Sequence, residues 1–349
     1  MKIPTILTIS IPRRPIHVFQ KFIEENTIYI LAPLLIAISV AFFVIYFQNG
    51  LGLSYNDARS HLDIGRRVVE GLKPGIAQIG SVWLPLPHLL MVPTIWNDFM
   101  WHTGLSGALQ SMISFVATGL LIYLYLKNLG VGWLGKVVGV FVFVANINVL
   151  YLQSTAMTEL LLLATTTAAC YYLLLWQKKE NVVDVIKAAF FVMLASLIRY
   201  DGWFLFLFAG LLILISTFRK KGYKAAEGTS ILYATLAGVG IFLWFIWNAL
   251  IFKDPLYFAF GQFSAHTQQE QLSEAGILAT KSNILLSLKV YFYALLYNSY
   301  AFAALIGFVG AVLIWFDKKI ETNTKIIVLS LLAPLIFNIL ALYLGHSVL

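Results

Sequence analysis

Apolar runs long enough to cross a bilayer recur along this chain, and they constrain its fold more than any other feature. Residues 28–47, 104–126, 230–252, 290–316 and 326–345 contain no acidic or basic side chain. Each has about the 20 residues that an α-helix needs to span roughly 30 Å of hydrocarbon. Two shorter runs, 137–153 and 160–176, have the same character. Composition agrees: 60% of the 349 residues are hydrophobic and 11% are charged, against about 25% charged in ordinary soluble domains. The expected fold is all-α, a polytopic integral membrane protein forming a single transmembrane domain over residues 1–349. The single cysteine, Cys170, lies inside an apolar run. It supplies neither a disulfide within the chain nor a CxxC metal or redox site.

Residues 182–218 are interrupted by Arg199 and Asp201. One span would bury that pair at mid-membrane, whereas two spans would form a hairpin with Arg199-Tyr200-Asp201-Gly202 at its tip. The positive-inside rule separates these readings, because the hairpin puts roughly two thirds of the 24 Lys/Arg on one side and the single span divides them about evenly. About nine transmembrane helices in a plasma membrane are therefore expected, with the N-terminus, carrying Lys2, Arg13, Arg14 and Lys21, in the cytoplasm and the C-terminus outside. The first run is too long and too far from the start for a cleaved signal peptide. Two outer segments, 48–103 and 253–289, are longer than connections require, and function is expected there. The first opens with a predicted surface helix over 57–72, with Ile64, Val68, Val69 and Leu72 on its apolar side. The last span ends close to Leu349, read either as the true end or as that of a truncated chain.

Ionisable residues at the mouths of spans are costly and so mark candidate sites. Asp57 follows the first span in Tyr55-Asn56-Asp57-Ala58-Arg59-Ser60-His61 and shares a helix face with His61 at i, i+4. The bland reading of Asp57 is a helix N-cap. Capping is also the bland reading around Glu159, in the short turn Met157-Thr158-Glu159, with Thr155 or Ser154 as cap and Glu159 in the first turn of the following helix. Arg199 and Asp201 can simply neutralise each other. Function is favoured because Asp57, Glu159, Arg199 and Asp201 come from separate outer loops that a bundle brings to one membrane face. A carboxylate near arginines suits a base acting beside an anionic phosphate. Trp83, Trp96, Trp101 and Trp203 fit an interfacial aromatic belt better than a sugar platform. His61, His88, His102, His266 and His346 lie on the outer side without compact ligand spacing, so no metal site is expected. Walker and Rossmann glycine motifs are absent, which speaks against nucleotide binding. The net charge of +8 flanks the spans, so no nucleic-acid partner is expected.

The order of these motifs resembles the GT-C membrane glycosyltransferases. The resemblance rests on a first span, a long outer loop opening with Tyr55-Asn56-Asp57, the stretch Gln78-Ile79-Gly80-Ser81-Val82-Trp83-Leu84-Pro85-Leu86-Pro87-His88, the Met157-Thr158-Glu159 turn, and Arg199-Tyr200-Asp201-Gly202-Trp203. It is most similar to the protein mannosyltransferase and aminoarabinose transferase branch, whose members take a sugar from a polyprenyl phosphate. The resemblance implies Asp57 as general base and Arg199, then Arg59, as clamps for the donor phosphate. It leaves His61, Glu159, Asp201, His88 and Tyr55 as substrate-contacting or supporting residues. It implies a polyprenyl-phosphate-linked sugar as donor, a glycan, lipid or protein as acceptor, and no cofactor, with a divalent ion shared by Asp57 and Glu159 left open. Many relatives carry Asp-Glu where this chain has Asn56-Asp57, so a role needing adjacent carboxylates is in doubt. Relatives also carry more spans and often an outer C-terminal domain, so part of the acceptor site is expected beyond Leu349. The alternative is a transporter or flippase whose path is lined by the 182–218 hairpin. The Trp-Trp-Asp motif of oligosaccharyltransferases is absent.

Overall fold

The computed structural model describes residues 13–347; Lys2 and Leu349 lie outside them. Its helices in chain order are α1 (Arg13–Gln48), α2 (Asn56–Val69), α3 (Leu86–Ile95), α4 (Asp98–His102), α5 (Leu105–Leu129), α6 (Trp133–Val144), α7 (Ile147–Leu152), α8 (Glu159–Lys179), α9 (Val182–Ser196), α10 (Asp201–Lys221), α11 (Tyr223–Phe252), α12 (Tyr257–Phe260), α13 (Ala265–Glu274), α14 (Ile284–Ser299), α15 (Ala301–Phe316), α16 (Thr322–Val328) and α17 (Ala333–Leu344). No strand occurs among the described residues. Six helices are long and apolar enough to cross a membrane: Asn26–Gln48 within α1, then α5, α8, α10, α11, and Thr322–Leu344, in which α16 and α17 join through a short 3-10 turn. A seventh candidate is the pair α14 and α15, bent by 110°. This is the architecture of a multi-pass helical membrane protein.

Helix α8 is central, with 67% of its apolar window buried, compared with 11% for α1. One side of it packs through Leu162, Ala169 and Leu173 against Val185, Ala189 and Val192 of α9 and Leu205 and Ala209 of α10. Its other side joins Leu35 of α1, Phe115 of α5 and Val140 of α6 through Leu160. Small side chains let helices approach closely where lipid offers no hydrophobic gain to drive them together. The run Ala164 to Ala169 on α8 is buried and contains only Ala and Thr. Gly240 of α11 sits so close to Ser196 and Met193 of α9 that a Cβ there would overlap them.

Two runs that the sequence presents as continuous are broken. The expected span over 137–153 is α6 followed by α7, because the Asn146 side chain caps the second helix, accepting from the backbone N–H of Asn148 at 2.9 Å and of Val149 at 3.2 Å. The expected span over 290–316 breaks at Tyr300, which adopts φ +60°. The two breaks meet. Asn146 Nδ2 donates to the Asn298 carbonyl at 2.8 Å, and Asn148 Nδ2 to Asn298 Oδ1 at 3.1 Å. Backbone groups freed by a break find no water in hydrocarbon, so asparagine side chains supply partners. The ends of the bent pair lie at opposite ends of α16–α17: Ser282 N donates to the Tyr343 carbonyl and Lys325 Nζ to the Trp315 carbonyl, each at 2.8 Å.

Arg199 and Asp201 do interrupt their apolar run, since α9 ends at Ser196 and α10 begins at Asp201. In the segment 48–103, α2 stops at Val69, short of the expected Leu72, because Glu70 is extended and Gly71 takes φ +141°. Of the expected apolar side of this helix, Val68 is buried and Val69 packs against the cluster that includes Leu62 and Met91, whereas Leu72 falls beyond the helix and is fully exposed. Ala58, His61, Leu62, Gly65 and Val68 face inward, packing on Met91 and Ile95 of α3. The neighbouring helix α3 selects the buried face.

Candidate functional site

Two hydrogen bonds hold residues 82–86 against the α9–α10 turn, and a third ties Gly80 to α11. Leu86 N donates to the Leu197 carbonyl at 3.0 Å, Tyr200 OH to the Val82 carbonyl at 2.9 Å, and Trp247 Nε1 to the Gly80 carbonyl at 3.0 Å. The turn between α7 and α8 is fastened to α5 by Ser111 Oγ, which donates to the Met157 carbonyl at 3.0 Å. Gly107 of α5 lies against Ala156 with no room for a Cβ. These contacts enclose a cavity of about 810 Å³, within the range of ligand sites, about 300–1,000 Å³. One part of its wall is polar, with Asp57, His61, Thr158, Arg199 and Asp201. Another is apolar, with Phe204 and Leu207 of α10 and Phe337, Leu340 and Leu344 of α17. Leu207 and Leu344 are 66% and 54% exposed, so this wall continues onto the outside of the bundle.

Arg199 is the hub of the polar part. Its Nη1 donates to Glu159 Oε1 at 3.0 Å and to Thr158 Oγ1 at 3.3 Å, and its Nε to Asp201 Oδ2 at 3.4 Å. Burial acts to lower the guanidinium pKa, but the charges of Glu159, Asp201 and Asp57 outweigh it and hold the group above its usual value. Nη2 makes no hydrogen bond among the described residues. Asp57 lies in the first turn of α2, whose N-cap position is Tyr55, so it is not the cap. It is exposed, lines the cavity and makes no hydrogen bond or ion pair among the described residues. Glu159 lies in the first turn of α8 as expected, but the cap position is Thr158, which makes no capping bond, and not Thr155 or Ser154.

Behind this wall lies a pair of histidines. His61 Nδ1 and His88 Nε2 are 2.9 Å apart, both residues are buried, and the Trp83 ring lies 4.3 Å from the His61 ring. Burial, and secondarily the charge of Arg199, lowers the His61 pKa to about 4. Burial, then His61, lowers that of His88 to about 3. The pair is neutral at physiological pH and shares one proton between the facing nitrogens.

The cavity thus unites four of the expected residues, Asp57, His61, Arg199 and Asp201, with Glu159 attached through its ion pair. It does not include Arg59, Tyr55 or His88. Arg59 is turned onto Asp63 at 3.1 Å and over the Trp101 ring at 4.6 Å, so opposite charge and an aromatic face hold it away. Tyr55 is 53% exposed at the start of α2. His88 stands behind His61 as its partner. Trp83 and Trp203, expected in an aromatic belt, line the cavity, and the Trp101 ring has the Arg59 and Arg66 guanidinium groups 4.6 and 4.8 Å from its centre. Gln269 of α13 and Asn338 of α17 are lining residues that sequence reasoning missed. The length of the 253–289 segment was the only signal for Gln269. Asn338, a polar residue within an apolar run, was the signal for itself.

Comparison with protein-family models, curated proteins and solved structures yields no match. A carboxylate free to accept a proton, an arginine with an unused edge and an apolar wall open to the bundle surface suit a substrate with a polar reacting head and an apolar tail. No cluster of three or more His, Cys, Asp or Glu with metal-binding geometry occurs among the described residues.

Proposed function

We propose that the protein is a membrane glycosyltransferase that moves a sugar from a polyprenyl-phosphate donor to a glycan, lipid or protein acceptor on the outer face of a plasma membrane. The observation that carries this reading is the division of one cavity between Asp57, Arg199 and Asp201 on one wall and the outward-running leucines of α10 and α17 on another. A prenyl chain remains in the bilayer along Leu207, Leu340 and Leu344 while its phosphate reaches Arg199 Nη2. Asp57 takes the proton of an acceptor hydroxyl or amine as that atom bonds to the anomeric carbon. The bond from that carbon to the phosphate oxygen breaks, its electron pair leaves on the phosphate, and the sugar is inverted. Glu159 and Asp201 hold the guanidinium in place, and bidentate geometry favours arginine over lysine for the leaving phosphate. The chemistry needs no metal.

The same reading assigns nine spans. It counts α6–α7 and α14–α15 as broken spans and α9 as a short one, with α2 a surface helix of the outer face and the N-terminus cytoplasmic. The transport alternative draws on the two breaks that meet at Asn146 and Asn298, a device of transporters. No acidic or basic side chain stands at that junction and none of its residues lines the cavity, so the transferase reading is preferred.

The test is release of radiolabelled sugar from a panel of polyprenyl-phosphate sugars by the purified protein in lipid. Wild type is expected to consume one of them, and Asp57→Asn to lower turnover by roughly 10²–10⁴-fold, the usual contribution of a positioned base, while retaining donor binding. Undiminished turnover in Asp57→Asn removes Asp57 as base.

A further inference from the structure

The charges on the cavity wall do not yet suit an anion. Asp57 and Asp201 line it, and Arg199 is the one lysine or arginine on its wall among the described residues. Glu159 and Asp201 already hold that guanidinium, and Arg59 is committed to Asp63 and Trp101. A phosphate entering this space needs a second cation. His61 is in position to be one. It lines the cavity one helical turn beyond Asp57, its Nδ1 is engaged by His88 Nε2 at 2.9 Å, and Nε2 is the ring nitrogen left for the cavity.

The surroundings of the pair explain why it is neutral. Trp83 covers the His61 ring, Arg199 faces it from the α9–α10 turn, and Arg67 faces His88 from α2. No carboxylate bonds to either ring among the described residues. An imidazolium here lacks a counter-ion until a ligand supplies one. His88 Nδ1 is buried and makes no hydrogen bond of standard geometry among the described residues, while the Leu84 backbone favours a proton on the ring; because His88 Nε2 faces His61 at 2.9 Å, that proton is placed on Nδ1. His88 Nε2 then accepts from His61 Nδ1–H, and a further proton goes to His61 Nε2.

We propose that His61, protonated on Nε2 when a phosphate ester occupies the cavity, is the second cationic ligand of that phosphate, with His88 as the positioning residue that accepts from its Nδ1–H. The proposal rests on the reading of the cavity as a polyprenyl-phosphate site. A group neutral in the free protein and charged in the complex takes up a proton on binding. Affinity therefore rises as pH falls, by at most about tenfold per pH unit for one proton.

The experiment is calorimetric titration of the purified full chain in nanodiscs with a short-chain polyprenyl methyl phosphodiester, whose single charge does not titrate near neutrality. Buffers of different ionisation enthalpy between about pH 8 and 6, the histidine range, report proton uptake. Net uptake that grows as pH falls is expected, with a Kd that tightens in step, and His61→Gln should lose both. His346→Gln, which removes the other histidine lining the cavity, and Asp57→Asn should keep the uptake. His88→Asn, whose amide oxygen can still accept from Nδ1–H, should retain more of it than His88→Phe. Binding without proton uptake, or uptake that survives in His61→Gln, overturns the assignment and leaves the polyprenyl-phosphate reading standing. No binding by wild type at any pH overturns both.

Discussion

Arg199 shows how much a single side chain decides here. It is approached by carboxylates from two other elements and by one from its own turn, yet its Nη2 edge is unused. A charge-assisted hydrogen bond is worth about 1.5–3 kcal/mol, so Arg199→Ala is expected to weaken donor binding by roughly 10- to 150-fold. Arg199→Lys keeps the charge without the fork and should recover only part of that loss. Equilibrium binding of a polyprenyl phosphate to both variants checks this, and unchanged affinity in Arg199→Ala discards the clamp. The sequence made the Arg199–Asp201 pair visible because the two residues are neighbours. The Glu159 partner, 40 positions away, and the turning of Arg59 onto Trp101 were not legible, because opposite charge attracts equally well to any carboxylate or ring that packing brings near.

Among the elements, hydropathy located every long apolar helix but could not say which ones run straight. Asn146 and Tyr300 cost a hydropathy window almost nothing, yet each ends a helix, one through a capping side chain and the other through a left-handed backbone. The α9–α10 turn is the opposite case, since Arg199 and Asp201 advertise it. Its tightness depends on Gly202, where a Cβ would overlap the Ala195 carbonyl at the end of α9. Gly202→Val is therefore expected to destabilise the bundle by about 1–3 kcal/mol, the usual cost of overpacking. It should also weaken donor binding, because Arg199 lies three residues earlier. Thermal unfolding of the full chain in detergent, paired with the binding assay, tests both, and an unchanged Tm would mean that the turn relaxes freely.

At the scale of the whole molecule, the nine-span reading makes an independent prediction. A cysteine introduced at Lys221 should be shielded from an impermeant thiol reagent in intact cells, and one at Gln268 should react. Cys170 is fully buried and adds no background. Labelling at Lys221 and protection at Gln268 would overturn the orientation. That the chain is helical and multi-pass, and that Asp57, Glu159, Arg199 and Asp201 fall between its apolar runs, is legible in the sequence. Those properties follow from the free energy of moving each segment into hydrocarbon, a sum over neighbouring residues. Only the tertiary structure decided which of those groups share a cavity, that Arg59 does not, and that His61 meets His88 27 residues away and Tyr200 meets the Val82 carbonyl 118 residues away. Contacts at such separations are fixed by how helices pack, through small residues, glycines and the few hydrogen bonds that survive without water, and no local window records that packing.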